Sequence, residues 1–154
     1  YNVQHMDMNG NSELAVPQNT LRAELRQLES KQWEQITLPH TPFVEPLTVL
    51  HQWQGICYYK KKITITPEEA KKHIWIEFEG AMHLADVWIN GKHVMQHAGG
   101  YTPFVVDATG LLKTGKENEL LVRLDNRNNS LIPPENRWKH LIFVIMGEFI
   151  GMYT

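Results

Sequence analysis

Two glutamates, Glu77 and Glu79, stand two residues apart in the segment IWIEFEG. On a strand that spacing puts both side chains on one face, about 7 Å apart. The separation lies within the roughly 6.5–9.5 Å between the carboxyls of an inverting glycosidase. Any E-x-E on any strand provides it, and the reaction needs the two groups on opposite sides of a sugar, so a solvated strand face is the simpler reading. Eight histidines raise the question of a metal. His93 and His97 have the spacing that binds zinc on a helix, but they fall in an alternating stretch that runs into Gly99-Gly100. On a strand they would share a face about 13 Å apart, too far to share one ion.

The lone cysteine, Cys57, can form no internal disulfide, and no C-x-x-C suggests zinc. It lies in an apolar-alternating stretch and reads as buried and inert. No Ser/His/Asp constellation is readable. Gly99-Gly100 reads as a backbone turn with Tyr101 and Phe104 packing across it; a phosphate loop would need G-x-x-x-x-G-K-S/T, which is absent. The expectation for metals and cofactors is therefore none. Aromatic rings are the usual platforms for the apolar face of a pyranose, and Trp53, Tyr58, Trp75, Trp88 and Tyr101 are the candidates. Against each stands a role in core or interdomain packing.

The elements that must position these residues are mostly strands. Residues 74–89 alternate, with Ile74, Ile76, Phe78, Ala85, Val87 and Ile89 on the inward side and Trp75, Glu77, Glu79 and Trp88 outward. Asn90-Gly91 follows, the dipeptide of a tight hairpin turn. Residues 57–66 alternate with Tyr59, Lys61, Ile63 and Ile65 on one side, and the lysine run 60–62 reads as a solvated or edge face. Leu120, Val122 and Leu124 alternate with Leu121, Arg123 and Asp125. Residues 67–72 (PEEAKK) predict one helical turn opening on proline. Residues 20–30 (TLRAELRQLES) predict a short helix with Leu21, Leu25 and Leu28 on one face. Residues 1–19 read as irregular, and 41–54 as a long loop anchored by Phe43, Leu47 and Leu50. Short strands, regular turns and little helix imply an all-β sandwich.

Composition permits one domain of ordinary globular character: 154 residues, 42% apolar, 21% charged, net charge −2. There is no basic stripe for nucleic acid and no apolar run of membrane-spanning length. A first residue that is Tyr rather than Met leaves a removed export signal open, and with it a periplasmic, secreted or cytoplasmic place.

Three segments share a wording. F-E-G-A…A-D-V-W-I-N-G-K…H-x-G-G-Y-T-P-F…D-x-T covers 78–109, W-x-x-I-x-L-P-H-T begins at Trp33, and N-x-L-x-V-x-x-D-N…P-P closes at Pro134. Together they resemble the N-terminal sugar-binding domain of glycoside hydrolase family 2, the β-galactosidase and β-glucuronidase family. The resemblance implies a jelly-roll β-sandwich over 33–134, preceded by an extension over 1–32. It implies a domain without its own catalysis, packed on a separate barrel that holds the acid/base and nucleophile glutamates. The carbohydrate-facing candidates under this reading are Trp53, Tyr58, Asp86, Trp88, Asn90 and Tyr101. Expected partners are a carbohydrate, bound weakly or not at all in isolation, and the catalytic domains of the same polypeptide. The alternative is a stand-alone carbohydrate- or protein-binding module.

Beyond Pro134 the likeness stops, at ENRWKHLIFVIMGEFIGMYT. Back-translated and read one base out of register, this tail admits G-K/E-P/S-L/V/M-E-T/A-P/S, then D-F-C-Y-Y-G-G-I-Y-R-N-V-Y, an allowed choice at every codon. The boundary of Met146 with Gly147 forces glycine, and that of Met152 with Tyr153 forces valine. The resembling family places P-P-G-K-P-L-E…D-F-x-Y-Y-G-G-I-Y-R there, its sugar-bonding aspartate falling where Ile142 stands. Residues 135–154 are thus expected to be a frameshifted tail, with a divergent natural strand as the alternative. As written, LIFVIMGEFIGMY is apolar and β-prone. It could pair as a substitute last strand or cover a second copy, and the exposed barrel-facing surface points to a homo-oligomer.

Overall fold

A computed structural model describes residues 2–7, 18–29, 32–41, 54–127, 129–132 and 145–153; for 2–7, 18–21, 29 and 145–153 it describes the backbone alone. The described residues form two sheets. One has six strands in the order β2-β1-β3-β8-β5-β6, the other three in the order β7-β4-β9. The strands are β1 (Asn2–Asp7), β2 (Glu34–Gln35), β3 (Gly55–Thr64), β4 (His73–Ala81), β5 (Leu84–Ile89), β6 (Lys92–Ala98), β7 (Phe104–Asp107), β8 (Glu117–Asp125) and β9 (Ile145–Tyr153). All the pairings between them are antiparallel. The chain is the all-β sandwich that its alternation implied.

The core lies between the sheets because each inward set comes from a period of two. Tyr59, Ile63, Ala85, Val87, Ile89, Leu120, Val122 and Leu124 from the larger sheet meet Ile74, Ile76, Phe78, Phe104 and Val106 from the smaller. Phe78 and Phe104 stack at 4.7 Å, and His97 stacks on the other side of Phe104 at 4.4 Å. Asn90 and Gly91 both take positive φ, 50° and 77°, as the hairpin requires. Asn90 also ties the turn to the sheet. Its amide donates to Leu111 O and Asn118 Oδ1, both at 2.9 Å, and its Oδ1 accepts from Glu119 N at 3.1 Å.

Several expectations change. Residues 2–7, read as irregular, form β1, whose backbone pairs with β3 from Asn2↔Lys60 to Asp7↔Gly55. A polar strand can hold this place because backbone groups make the ladder and the hydrophobic pattern need not announce it. The lysine run begins where β1 ends, so beyond Lys60 only β8 borders β3 among the described residues. Lys60 reaches over the Trp33 ring at 4.3 Å. Residues 67–72 form a 3-10 turn, Glu69–Lys71, entered by reciprocal bonds: Glu69 N to Thr66 Oγ1 at 3.2 Å and Thr66 N to Glu69 Oε2 at 2.7 Å. The helix α1 spans Gln18–Glu29, slightly longer than expected. Tyr101 does not pack across Gly99-Gly100; it is exposed, and Phe104 alone is buried there. The anchored loop falls on 42–53, outside the described residues. In the tail, β9 pairs with β4 from His73↔Tyr153 to Ala81↔Ile145, so 145–153 does complete a sheet within this chain.

Candidate functional site

The outer face of the six-stranded sheet is where chemistry-bearing residues converge. Cross-strand partners share a face, and the register places Tyr58 opposite Arg123, Arg123 opposite Asp86, and Asp86 opposite Gln96. One polar row thus crosses β3, β8, β5 and β6. The row on one side of it holds Ile56, Asp125 and Leu84; the row on the other holds Lys60, Leu121, Trp88 and His93. Over this face lies α1, whose Leu28 and Leu25 pack on Ile56, Tyr58, Trp88 and Leu121. The part of the row on β3, β8 and β5 is therefore buried, while its end on β6, Gln96, stays exposed.

Inside it the charges are paired closely. Tyr58 OH donates to Glu24 Oε2, and Arg123 Nε donates to the same oxygen at 3.0 Å. Arg123 Nη2 reaches Glu24 Oε1 and Asp125 Oδ2, both at 3.5 Å. Asp125 accepts from Arg127 at 3.0 Å (Nε) and 2.7 Å (Nη2), and from the Arg127 backbone N–H. Asp86 Oδ1 accepts from Gln96 Nε2 and His93 Nε2, each at 2.9 Å. Burial pushes the Tyr58 phenol far above its usual range, Arg123 opposing and Glu24 assisting, so it remains a donor. For Arg123 burial works against the charge, but the bond to Glu24 and the charges of Glu24 and Asp125 outweigh it and carry the guanidinium upward.

The structure brings Tyr58, Asp86 and Trp88 together on this face, all buried rather than open to solvent, Tyr58 and Trp88 packed under α1. Trp75 is half-buried on β4. Asn90 lies in the β5–β6 turn, and Tyr101, 60% exposed, in the loop before β7. Neither belongs to the polar row. Trp53 lies outside the described residues. Glu77 and Glu79 do share the outer side of β4, opposite Val105 and its neighbours.

His93 and His97 do not share a face. The register between β5 and β6 slips after Val87, so that Val87 pairs with Met95 but Trp88 with His93. The extra residue of this bulge inverts the alternation. His93 turns to Asp86 on the outer face, while His97, opposite Ala85, stacks on Phe104 and bonds Thr102 Oγ1 at 2.9 Å.

Glu24, Arg123, Asp125 and Gln96 were not among the sequence candidates. A signal existed for one of them. Glu24 lies between Leu21, Leu25 and Leu28 at helical spacing and so belongs to the apolar side of α1.

Comparisons with known proteins agree with this architecture. The family described as Glycosyl hydrolase 2 galactose-binding domain-like matches residues 34–142. A β-galactosidase of Thermoanaerobacter pseudethanolicus is 32% identical over 143 residues, covering 91% of this chain and 19% of that enzyme. A β-glucuronidase of Bacteroides fragilis is 37% identical over 101 residues, 64% of this chain and 14% of that enzyme. Among solved structures, β-glucuronidase 2 of Bacteroides uniformis superposes with a TM-score of 0.65 at 31% identity, over 74% of this chain and 13% of that one. The chain thus spans about a fifth or less of the length of these relatives. With the match covering most of its length and the sandwich in place, the chain belongs to the galactose-binding-domain-like family of glycosyl hydrolase 2.

Proposed function

We propose that this chain is a non-catalytic sugar-binding-type domain of a longer β-galactosidase-like or β-glucuronidase-like hydrolase, a protein that cleaves O-glycosidic bonds in carbohydrate metabolism. The observation that carries the reading is the family match over 34–142 combined with the small share of each relative that the chain covers. The geometry supports it. Tyr58, Trp88 and Arg123 hold the sheet and α1 together, and Glu77 and Glu79 stand side by side on one strand, where they cannot flank a glycosidic bond. The domain's contribution is then shape and a few side chains offered to a site built mainly by the catalytic part.

Titration of the chain with methyl β-galactoside and methyl β-glucuronide tests this, alongside hydrolysis assays on the aryl glycosides. The expected result is no hydrolysis and binding no tighter than about 1 mM, roughly −4 kcal/mol. Micromolar binding would replace the proposal with an autonomous binding module. Hydrolysis abolished by Glu77→Ala would replace it with an enzyme.

A further inference from the structure

We propose that Tyr58 and Arg123 form a carboxylate-binding socket on the outer face of the six-stranded sheet, that α1 occupies it with Glu24 as a tethered ligand, and that a small free carboxylate takes the same place when Glu24 is withdrawn. The inference is independent of the sugar-binding reading, because it rests on the socket's own geometry.

Three donors converge on the Glu24 carboxylate: the Tyr58 hydroxyl and Arg123 Nε on Oε2, and Arg123 Nη2 on Oε1. Nε and Nη2 make up the side edge of the guanidinium, a fork that matches the two oxygens of a carboxylate. The surrounding Leu25, Leu28, Ile56, Trp88 and Leu121 keep the local dielectric low, which strengthens each of these bonds. Any carboxylate of suitable size meets the same three donors.

The sheet does not need Glu24 to balance its charge. Arg123 and Arg127 stand against Asp86 and Asp125 on the sheet and the segment that follows it. Glu24 is the additional anion, brought in by an element that joins no strand ladder and touches this face through side chains. Nor is the socket's bonding capacity used up. Arg123 Nη1 and Asp86 Oδ2, both more than nine-tenths buried, face each other at 3.8 Å, and neither makes a hydrogen bond. A sheet designed only to anchor a helix would be expected to satisfy these atoms. A ligand group that both donates and accepts, such as a hydroxyl beside the carboxylate, would satisfy both atoms. A hydroxy acid or sugar acid therefore fits better than a bare carboxylate.

The test uses the full chain carrying Glu24→Ala, with thermal unfolding followed by circular dichroism in sodium acetate, sodium D-glucuronate, D-glucose and sodium chloride at matched ionic strength. Acetate and glucuronate should each raise the midpoint by a few degrees at about 100 mM, by preferential binding to the folded state. Glucose and chloride should not. A larger rise with glucuronate identifies a sugar acid as the natural class, and an equal rise a simple carboxylate. If Glu24→Ala is unfolded, recovery of the β-sheet spectrum on adding acetate is the readout, and no recovery overturns the proposal. Glu24→Gln, whose amide still fills the socket, should respond to neither carboxylate. No shift in folded Glu24→Ala, or the same shift in the parent chain or in Glu24→Gln, overturns the proposal.

Discussion

Arg123 answers to three carboxylates at once, Glu24, Asp86 and Asp125, from a position with no exposure to solvent. Removing one partner of such a buried set leaves charge without compensation, so Arg123→Met should lower stability by roughly 3–5 kcal/mol, read as a fall in the urea midpoint. Adding Glu24→Leu should return part of the loss, because a well-packed apolar pair can replace a buried ionic one. His40 sets a different dependence. Its Nδ1 lies 3.1 Å from the Tyr59 hydroxyl, and burial lowers its pKa below 6.5 although Glu34 acts in the opposite sense. Burial also pushes the Tyr59 phenol far up, so the hydroxyl donates and the imidazole accepts in its neutral form. Below pH 6.5 the unfolded chain therefore binds the proton more readily than the folded one. This contribution to stability is complete above pH 6.5 and is lost as pH falls through the folded value. Unfolding midpoints measured across that window should show a shallower acid slope in His40→Asn than in the parent chain.

At the scale of elements, the β5–β6 hairpin rests on two residues with separate duties. Gly91 has open space around a Cβ but a φ of 77°, so Gly91→Ala should cost about 1–2 kcal/mol through backbone strain alone. Asn90→Ala adds the loss of three hydrogen bonds to similar strain and should cost more, about 2–4 kcal/mol. Parallel chemical denaturation of the two variants checks the order. The hairpin and the inward faces of β3, β4, β5 and β8 were legible because period two and Asn-Gly are local signals. The bulge after Val87 was not legible. Nothing in LADVWINGKHVMQHA marks which residue will be left unpaired, and that one residue sends His93 and His97 to opposite faces. β1 was hidden for a related reason: a polar strand is specified by the partners it meets, here β2 and β3.

For the whole molecule, the tail joins two separate questions. As a structural element, 145–153 is the strand that borders β4 opposite β7. Backbone pairing tolerates many sequences, so the strand is compatible with either reading of its origin. The gene decides between them. Its DNA from codon 134 onward is expected to contain, one base out of register, an open frame reading D-F-x-Y-Y-G-G-I-Y-R; a stop or unrelated sequence in that frame would leave a divergent natural strand. The second expectation is self-association. With Tyr101 and Val105 exposed near the short edge strand β7, sedimentation velocity at high concentration should show a dimer or larger species, and a clean monomer would withdraw it.

The amino-acid order by itself determined the class of fold, the hairpin, the inward half of each well-marked strand and the family, because all four are written in spacing and local wording. Only the tertiary structure decided what the other half of those strands does. Arg123, Asp125 and Asp86 look in sequence like the solvated side of alternating strands. All three are buried, and α1 brings Glu24 against Arg123. Alternation reports which residues face the inter-sheet core, but it cannot say whether the opposite face meets water or a helix, since that depends on an element some hundred residues away.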